Sequence, residues 1–193
     1  MKRIFSLICL SLLLAGTGYA QTGKRQPVRK GKAGVNLSLW KNLSTQRTDT
    51  VGSTFFNLGI FSAMNRLNGL GVNALGAVVG RDMNGAQFSG ISNMVGGSMR
   101  GVQMAGITNI NGNNLSGLSV AGLVGITGNH AQGAVFSGLA NITGDNSSGV
   151  IAGGLLNITG DKTAGVQLAG LANISDGNFA GVTASGLLNV AGG

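Results

Sequence analysis

From Gly101 to Gly193 the chain repeats one sixteen-residue phrase: GVQMAGITNINGNNLS, GLSVAGLVGITGNHAQ, GAVFSGLANITGDNSS, GVIAGGLLNITGDKTA, GVQLAGLANISDGNFA and a partial GVTASGLLNVAGG. The register extends backward through GAQFSGISNMVGGSMR (Gly85 to Arg100) and, more loosely, GLGVNALGAVVGRDMN (Gly69 to Asn84). A period that never slips narrows the choice of fold sharply. A unit too small to bury its own side chains must bury them against its neighbours.

Columns are counted from the first glycine of each unit. Column one is Gly from Gly69 to Gly181 in every unit, and column six is Gly in all but the first, where Ala74 stands. These glycines predict places where the chain bends or where backbone meets backbone. The apolar columns are two (Val102, Leu118, Val150), four (Met104, Val120, Phe136), seven (Ile107, Leu123, Leu139, Leu155) and ten (Ile110, Ile126, Ile142, Ile158). Columns two and four alternate as in a strand with one buried face. Columns seven and ten differ in parity, so a corner is expected between them. Column nine sits there and, in the last seven units, holds Asn93, Asn109, Asn141, Asn157, Asn173 and Asn189, with Gly125 as the exception. Asn and Gly share access to left-handed backbone angles, so this column predicts a turn lined by an Asn ladder along an inside corner. The run Thr143-Gly144-Asp145-Asn146 has the chemistry of a turn that closes the unit.

Alone, one unit holds too little apolar material to offset the entropy of ordering its backbone. Stacked, each strand gains a ladder above and below. The expected fold is therefore all-β: a parallel β-solenoid with 16-residue coils about 4.8 Å apart and an N-terminal β cap. At GVQLAGLANIS and GLSVAGLVGITG the chain resembles the bacterial surface-repeat proteins, an exported Gly-rich family known from leptospiral lipoproteins and from Bacteroidetes-type bacteria. The resemblance covers Gly69 to Gly193. It implies a location at the cell surface or envelope and supplies no site residues. This chain departs from the lipoprotein members in having no cysteine placed for lipid attachment.

Ahead of the repeats, residues 1–20 pair Lys2 and Arg3 with the apolar run Ile4 to Leu14 and the small ending Gly18-Tyr19-Ala20, the pattern of a secretory signal peptide. The apolar run is too short for a membrane-spanning helix. Cleavage after Ala20 removes the single cysteine, Cys9, and with it any disulfide or thiolate chemistry. Residues 21–33 form a basic linker. Residues 34–68, richer in aromatics with Trp40, Phe55, Phe56 and Phe61, are expected to be cap strands, and residues 69–193 the solenoid with an incomplete last coil. That open coil implies a truncated chain, a covering partner or end-to-end self-association.

The net charge of +8 suggests nucleic acid until the charges are located. Lys24, Arg25, Arg29, Lys30 and Lys32 carry most of it, whereas from Gly85 onward Arg100 and Lys162 face Asp145, Asp161 and Asp176, a net of −1. The basic segment suits an anionic surface such as membrane phosphates or polysaccharide. No aromatic residues interleave it, and nucleic acid is not expected.

The chemistry available is sparse. His130 is the only histidine, so no His-based triad or multi-His metal site assembles in one chain. Asp145 and Asp161 share a column, but with no aromatic cleft beside them they read as a solvated row rather than a glycosidase pair. Asn141, Asn157 and Asn173 begin glycosylation sequons that follow from the Asn column. Thr127, Thr143 and Thr159 stand in file in column eleven, an ice-binding arrangement if they face outward.

What remains is surface. Columns eight and three are expected to face outward and to supply an apolar contact strip of Val124, Val135, Ala140, Ile151 and Leu156. No cofactor, metal or catalytic residue is expected. The expected function is that of an exported, non-enzymatic structural or adhesive repeat protein, presenting a rigid face to a protein or polysaccharide partner at the cell surface. The alternatives are an outer-membrane β-barrel, since GVQMAGITNI has the length of a membrane strand, and a β-helix that binds or cleaves polysaccharide.

Overall fold

The computed structural model describes residues 34–40, 43–44 and 52–192. The signal peptide and basic linker expected for residues 1–33 lie outside the described residues. Those described are all-β, with no helix among them, and wind into a solenoid of about 9 turns. β1 (Gly34–Trp40) runs parallel to β3 (Ser53–Met64), and β2 (Leu43–Ser44) turns back antiparallel on β1. β4 (Arg66–Val79) lies on β3 with two register shifts, so the early coils are irregular. The strict period then starts with β5 (Met83–Ser89) and β6 (Ser92–Val95) and recurs through Phe179–Ser185 and Leu188–Ala191.

Each regular coil has a seven-residue wall, columns fifteen to five, and a four-residue wall, columns eight to eleven. Two corners join them, at columns six and seven and at columns twelve to fourteen. Every wall pairs in parallel with the residue sixteen positions on, as in Gly133↔Gly149 and Ile142↔Ile158. Parallel pairing throughout the repeats is incompatible with the antiparallel meander of an outer-membrane barrel, so that alternative architecture is corrected.

Column one shows why the period cannot tolerate another residue there. Its eight glycines, Gly69 to Gly181, have φ between 113° and 150°, and no other residue type among those described has positive φ. A Cβ on Gly149 would lie 2.1 Å from the carbonyl oxygen of Gly133 in the coil beneath. The obstruction is backbone on backbone, so no rotamer relieves it. At column six the same limit comes from proximity alone: a Cβ on Gly138 would come within 2.0 Å of the Gly122 oxygen.

Which side faces in differs from expectation. The buried columns are three, five, nine, eleven and fifteen, while columns two, four, seven and ten point outward. Column nine is not a turn. Asn157 lies within the strand Leu156–Thr159, and the corner falls two residues earlier. The reason is the narrow interior between two walls. In columns five and nine small or planar polar side chains fill that space and hydrogen-bond along the axis like stacked amides, while larger apolar side chains such as Leu67, Met83 and Ile151 enter at columns three, eleven and fifteen. In the long wall the inner and outer faces are the reverse of those expected from the alternation of columns two and four.

The Asn column is the spine of the interior. Asn141 Nδ2 donates to Asn157 Oδ1 (3.0 Å), Asn157 to Asn173 (2.8 Å) and Asn173 to Asn189 (3.0 Å). The second proton of each amide reaches across to the opposite wall of the next coil, at the carbonyls of Ala152 (2.8 Å), Leu168 (2.6 Å) and Ala184 (2.8 Å). The Ser137 hydroxyl donates to Asn141 Oδ1. At Gly125 the file breaks, and Asn109 donates instead to Ser119 Oγ (3.1 Å) and the Val120 carbonyl (2.7 Å). In the early coils the file runs in column five, Asn36 to Asn57 to Asn73.

Columns eleven and fifteen fill the other end of the interior, and their character changes along the axis. Early coils bring Val79 and Val95 together with Leu67, Met83 and Met99, all within 2% of full burial. Later coils replace these with hydroxyls: Ser147 bonds Thr159 (3.0 Å), Thr163 bonds Ser175 (2.6 Å) and Gln167 donates to Thr159 (3.0 Å). At the junction, the buried amides of Gln87, Gln103 and Asn111 meet no protein partner.

Candidate interaction surface

With polar groups stacked inside, the aliphatic residues form the exterior. The corner of columns six and seven places a glycine beside a branched aliphatic in each coil. Ile91, Ile107, Leu123, Leu139, Leu155 and Leu171 keep 39–44% of their surface exposed, and Leu187 in the last coil keeps 79%. The file is straight because the backbone is laddered through the corner: Leu139 N–H donates to the Leu123 carbonyl (2.8 Å) and Leu155 N–H to the Leu139 carbonyl (2.9 Å). On the long wall, column four adds Phe88, Met104, Phe136 and Leu168. On the short wall, columns eight and ten add half-buried residues such as Leu156, Ile142 and Ile158. A shallow depression of about 300 Å³ lies against the corner between Val72, Phe88, Met104 and Val120.

The expected contact strip divides accordingly. Val124, Ala140 and Leu156 in column eight are half-buried on the outer side of the short wall. Val135 (5% exposed) and Ile151 (3%) are interior residues in column three, where other coils carry Gln103 and Gln167, so the strip is corrected at these two positions. Sequence reasoning passed over column seven as core; its unbroken Ile/Leu identity next to an invariant Gly was the available signal.

Charge is confined to the opposite edge. All eight charged side chains among the described residues, Arg66, Arg81, Asp82, Arg100, Asp145, Asp161, Lys162 and Asp176, fall in columns twelve to sixteen. Four are positive and four negative, a net of zero for these residues. The one ion pair between them, Arg66 to Asp82 at 3.7 Å, is half-exposed. Asp145 and Asp161 are exposed on the turns and linked through backbone, with Asp161 N–H donating to the Asp145 carbonyl at 2.9 Å. His130 is exposed on the same edge, 3.3 Å from Asn146 Nδ2. Among the described residues, no group of three or more His, Cys, Asp or Glu side chains is placed to hold a metal.

Two other columns are interior. Thr127, Thr143 and Thr159 are buried to 3% or less, which removes the threonine file from any ice-binding face. Asn141, Asn157 and Asn173 are at most 2% exposed and committed to the ladder, so their sequons are closed to sugar. The basic residues Lys24, Arg25, Arg29, Lys30 and Lys32 lie outside the described residues. No helix among the described residues is long and apolar enough to cross a membrane, which says nothing of crossing by strands. No family model, curated protein or solved structure matches this chain.

Proposed function

We propose that this chain is an exported, non-enzymatic repeat protein of the cell envelope, whose rigid solenoid presents an aliphatic surface to a partner. The observation that carries the reading is the file Ile91 to Leu187. A soluble monomer rarely leaves large contiguous apolar patches in water, and here a branched aliphatic recurs at the same exposed corner coil after coil. Rigidity comes from the buried Asn file and the parallel ladders, which fix the spacing of these residues along the axis. The export half of the reading is supported by the n-region, apolar run and small-residue ending of residues 1–20.

The test is fractionation of cells expressing the full chain, with and without detergent, followed by protease treatment of intact cells. The protein is expected in the envelope fraction, released by detergent, with its leader removed. Recovery in the cytosol at its unprocessed mass would end this reading.

A further inference from the structure

We propose that the aliphatic corner beds in the acyl boundary of a phospholipid leaflet, with the solenoid axis parallel to the membrane plane. The inference rests on the reading of this chain as a surface-presenting repeat protein and names what the surface meets.

Shape, charge and size select lipid over a protein partner. The exposed apolar side chains stand on both walls and on the corner joining them, so the surface wraps around an edge, with a shallow depression of about 300 Å³ beside it, rather than lying on one flat face. A flat protein partner covers one wall and leaves the other in water; lipid chains surround a ridge on both sides. Charge is segregated as an interfacial body requires: columns one to eleven carry no charged side chain among the described residues, and columns twelve to sixteen carry all of them. The short wall is four residues, about 13 Å at about 3.3 Å per residue. That is less than the half-thickness, about 15 Å, of a hydrocarbon core, so the ridge enters one leaflet without reaching the other.

Immersion by about 5–10 Å, typical of interfacial elements, covers column seven and its flanks and leaves the charged edge in water. Backbone placed in hydrocarbon must be satisfied within the protein. The corner meets that condition, because Leu123, Leu139, Leu155 and Leu171 each donate to the carbonyl of the coil beneath at 2.8–2.9 Å. Behind it, the Asn file pairs with itself and with the opposite wall.

The test is flotation of the purified full chain with phosphatidylcholine vesicles, with and without anionic phosphatidylglycerol, at low salt and at about 1 M salt, where the Debye length is about 3 Å. The immersed surface is uncharged, so flotation on phosphatidylcholine is expected and is expected to be insensitive to salt. The triple variant L123E/L139E/L155E should float at least about a hundredfold less well while retaining the β circular dichroism of the parent. Should it fail to fold, L123A/L139A/L155A is expected to lose at least about tenfold. D145S/D161S/D176S on the far edge should float within about twofold of the parent. Three results would overturn the inference: a folded parent that does not float on phosphatidylcholine; flotation confined to anionic vesicles and abolished by salt, which assigns the contact to basic residues; or a lipid-free dimer that L123E/L139E/L155E splits, which assigns the ridge to a second copy. An unexported protein that floats retires the envelope reading alone. An exported one that does not float retires the lipid inference alone.

Discussion

Replacing Asn157 by Ala is the sharpest test of an interior held by stacked amides. Asn157 is fully buried, with Nδ2 donating to the Leu168 carbonyl (2.6 Å) and Asn173 Oδ1 (2.8 Å) and Oδ1 accepting from Asn141 Nδ2 (3.0 Å). Truncation removes these three bonds, together with a long one from Nδ2 to the Ile151 carbonyl (3.5 Å), and leaves one donor and two acceptors of the short bonds facing a dry interior. Each buried group stripped of its partner costs about 1–3 kcal/mol. Asn173 Oδ1 and the Leu168 carbonyl keep a second lone pair and some room to relax, so a total of about 3–5 kcal/mol is expected. Asn189 is the internal control. It occupies the same column but is exposed, and it accepts from Asn173 (3.0 Å) and Thr183 (2.9 Å). N189A should cost no more than about 1 kcal/mol. Urea unfolding of both variants gives the two values, and because coils in a solenoid open locally, amide exchange over Ile151 to Leu168 should be read alongside it. An N157A cost below about 1 kcal/mol, or equal to that of N189A, would refute the claim that the amide file holds the coils together.

Four other outcomes follow from the coil geometry. G149A places a Cβ on carbonyl oxygen at a left-handed φ of 113° and should cost at least about 3 kcal/mol by urea unfolding. G80A, whose added Cβ meets only the Met64 carbonyl at 3.8 Å, should be neutral or stabilising by up to about 1 kcal/mol. G125N should close the gap in the file between Asn109 and Asn141 and raise stability by about 1 kcal/mol, once Asn141 Oδ1 and Ser137 Oγ, each 2.9 Å from the added Cβ, shift to admit it; a lower urea midpoint would argue against it. With Cys9, the only natural cysteine, replaced by Ser, I151C should resist thiol reagents under native conditions while L155C reacts at once, and equal labelling would mean that the walls are assigned to the wrong sides.

Much of the architecture was legible in the residues. Glycine at column one in every unit, together with a period that never slips, specifies coils in register, because one added Cβ per coil collides with backbone. The turn chemistry of Gly144-Asp145-Asn146 marks a real corner. The Asn column was recognised as a ladder, but its place in the middle of a strand was not. Asn tolerates left-handed angles, and that local preference resembles a turn signal when the cross-coil bond that selects Asn is out of view. Column fifteen went unnoticed because Leu115, Ala131, Ser147 and Thr163 share no residue class; they share only a direction.

Period, coil length and the positions that must lack a side chain are properties of the sequence taken alone, since they follow from local sterics repeated at a fixed interval. The choice of inner face is not. A strand that alternates apolar and polar residues is consistent with either face buried, and composition favours the aliphatic one. Only closing two walls onto a thin interior decided the matter, because across that gap the column-nine amides stack on one another and reach the carbonyls of the opposite wall, while the larger apolar side chains that do enter, such as Leu115 and Ile151, sit in columns three, eleven and fifteen. The aliphatic corner, and with it whatever the protein binds there, is a consequence of that tertiary choice.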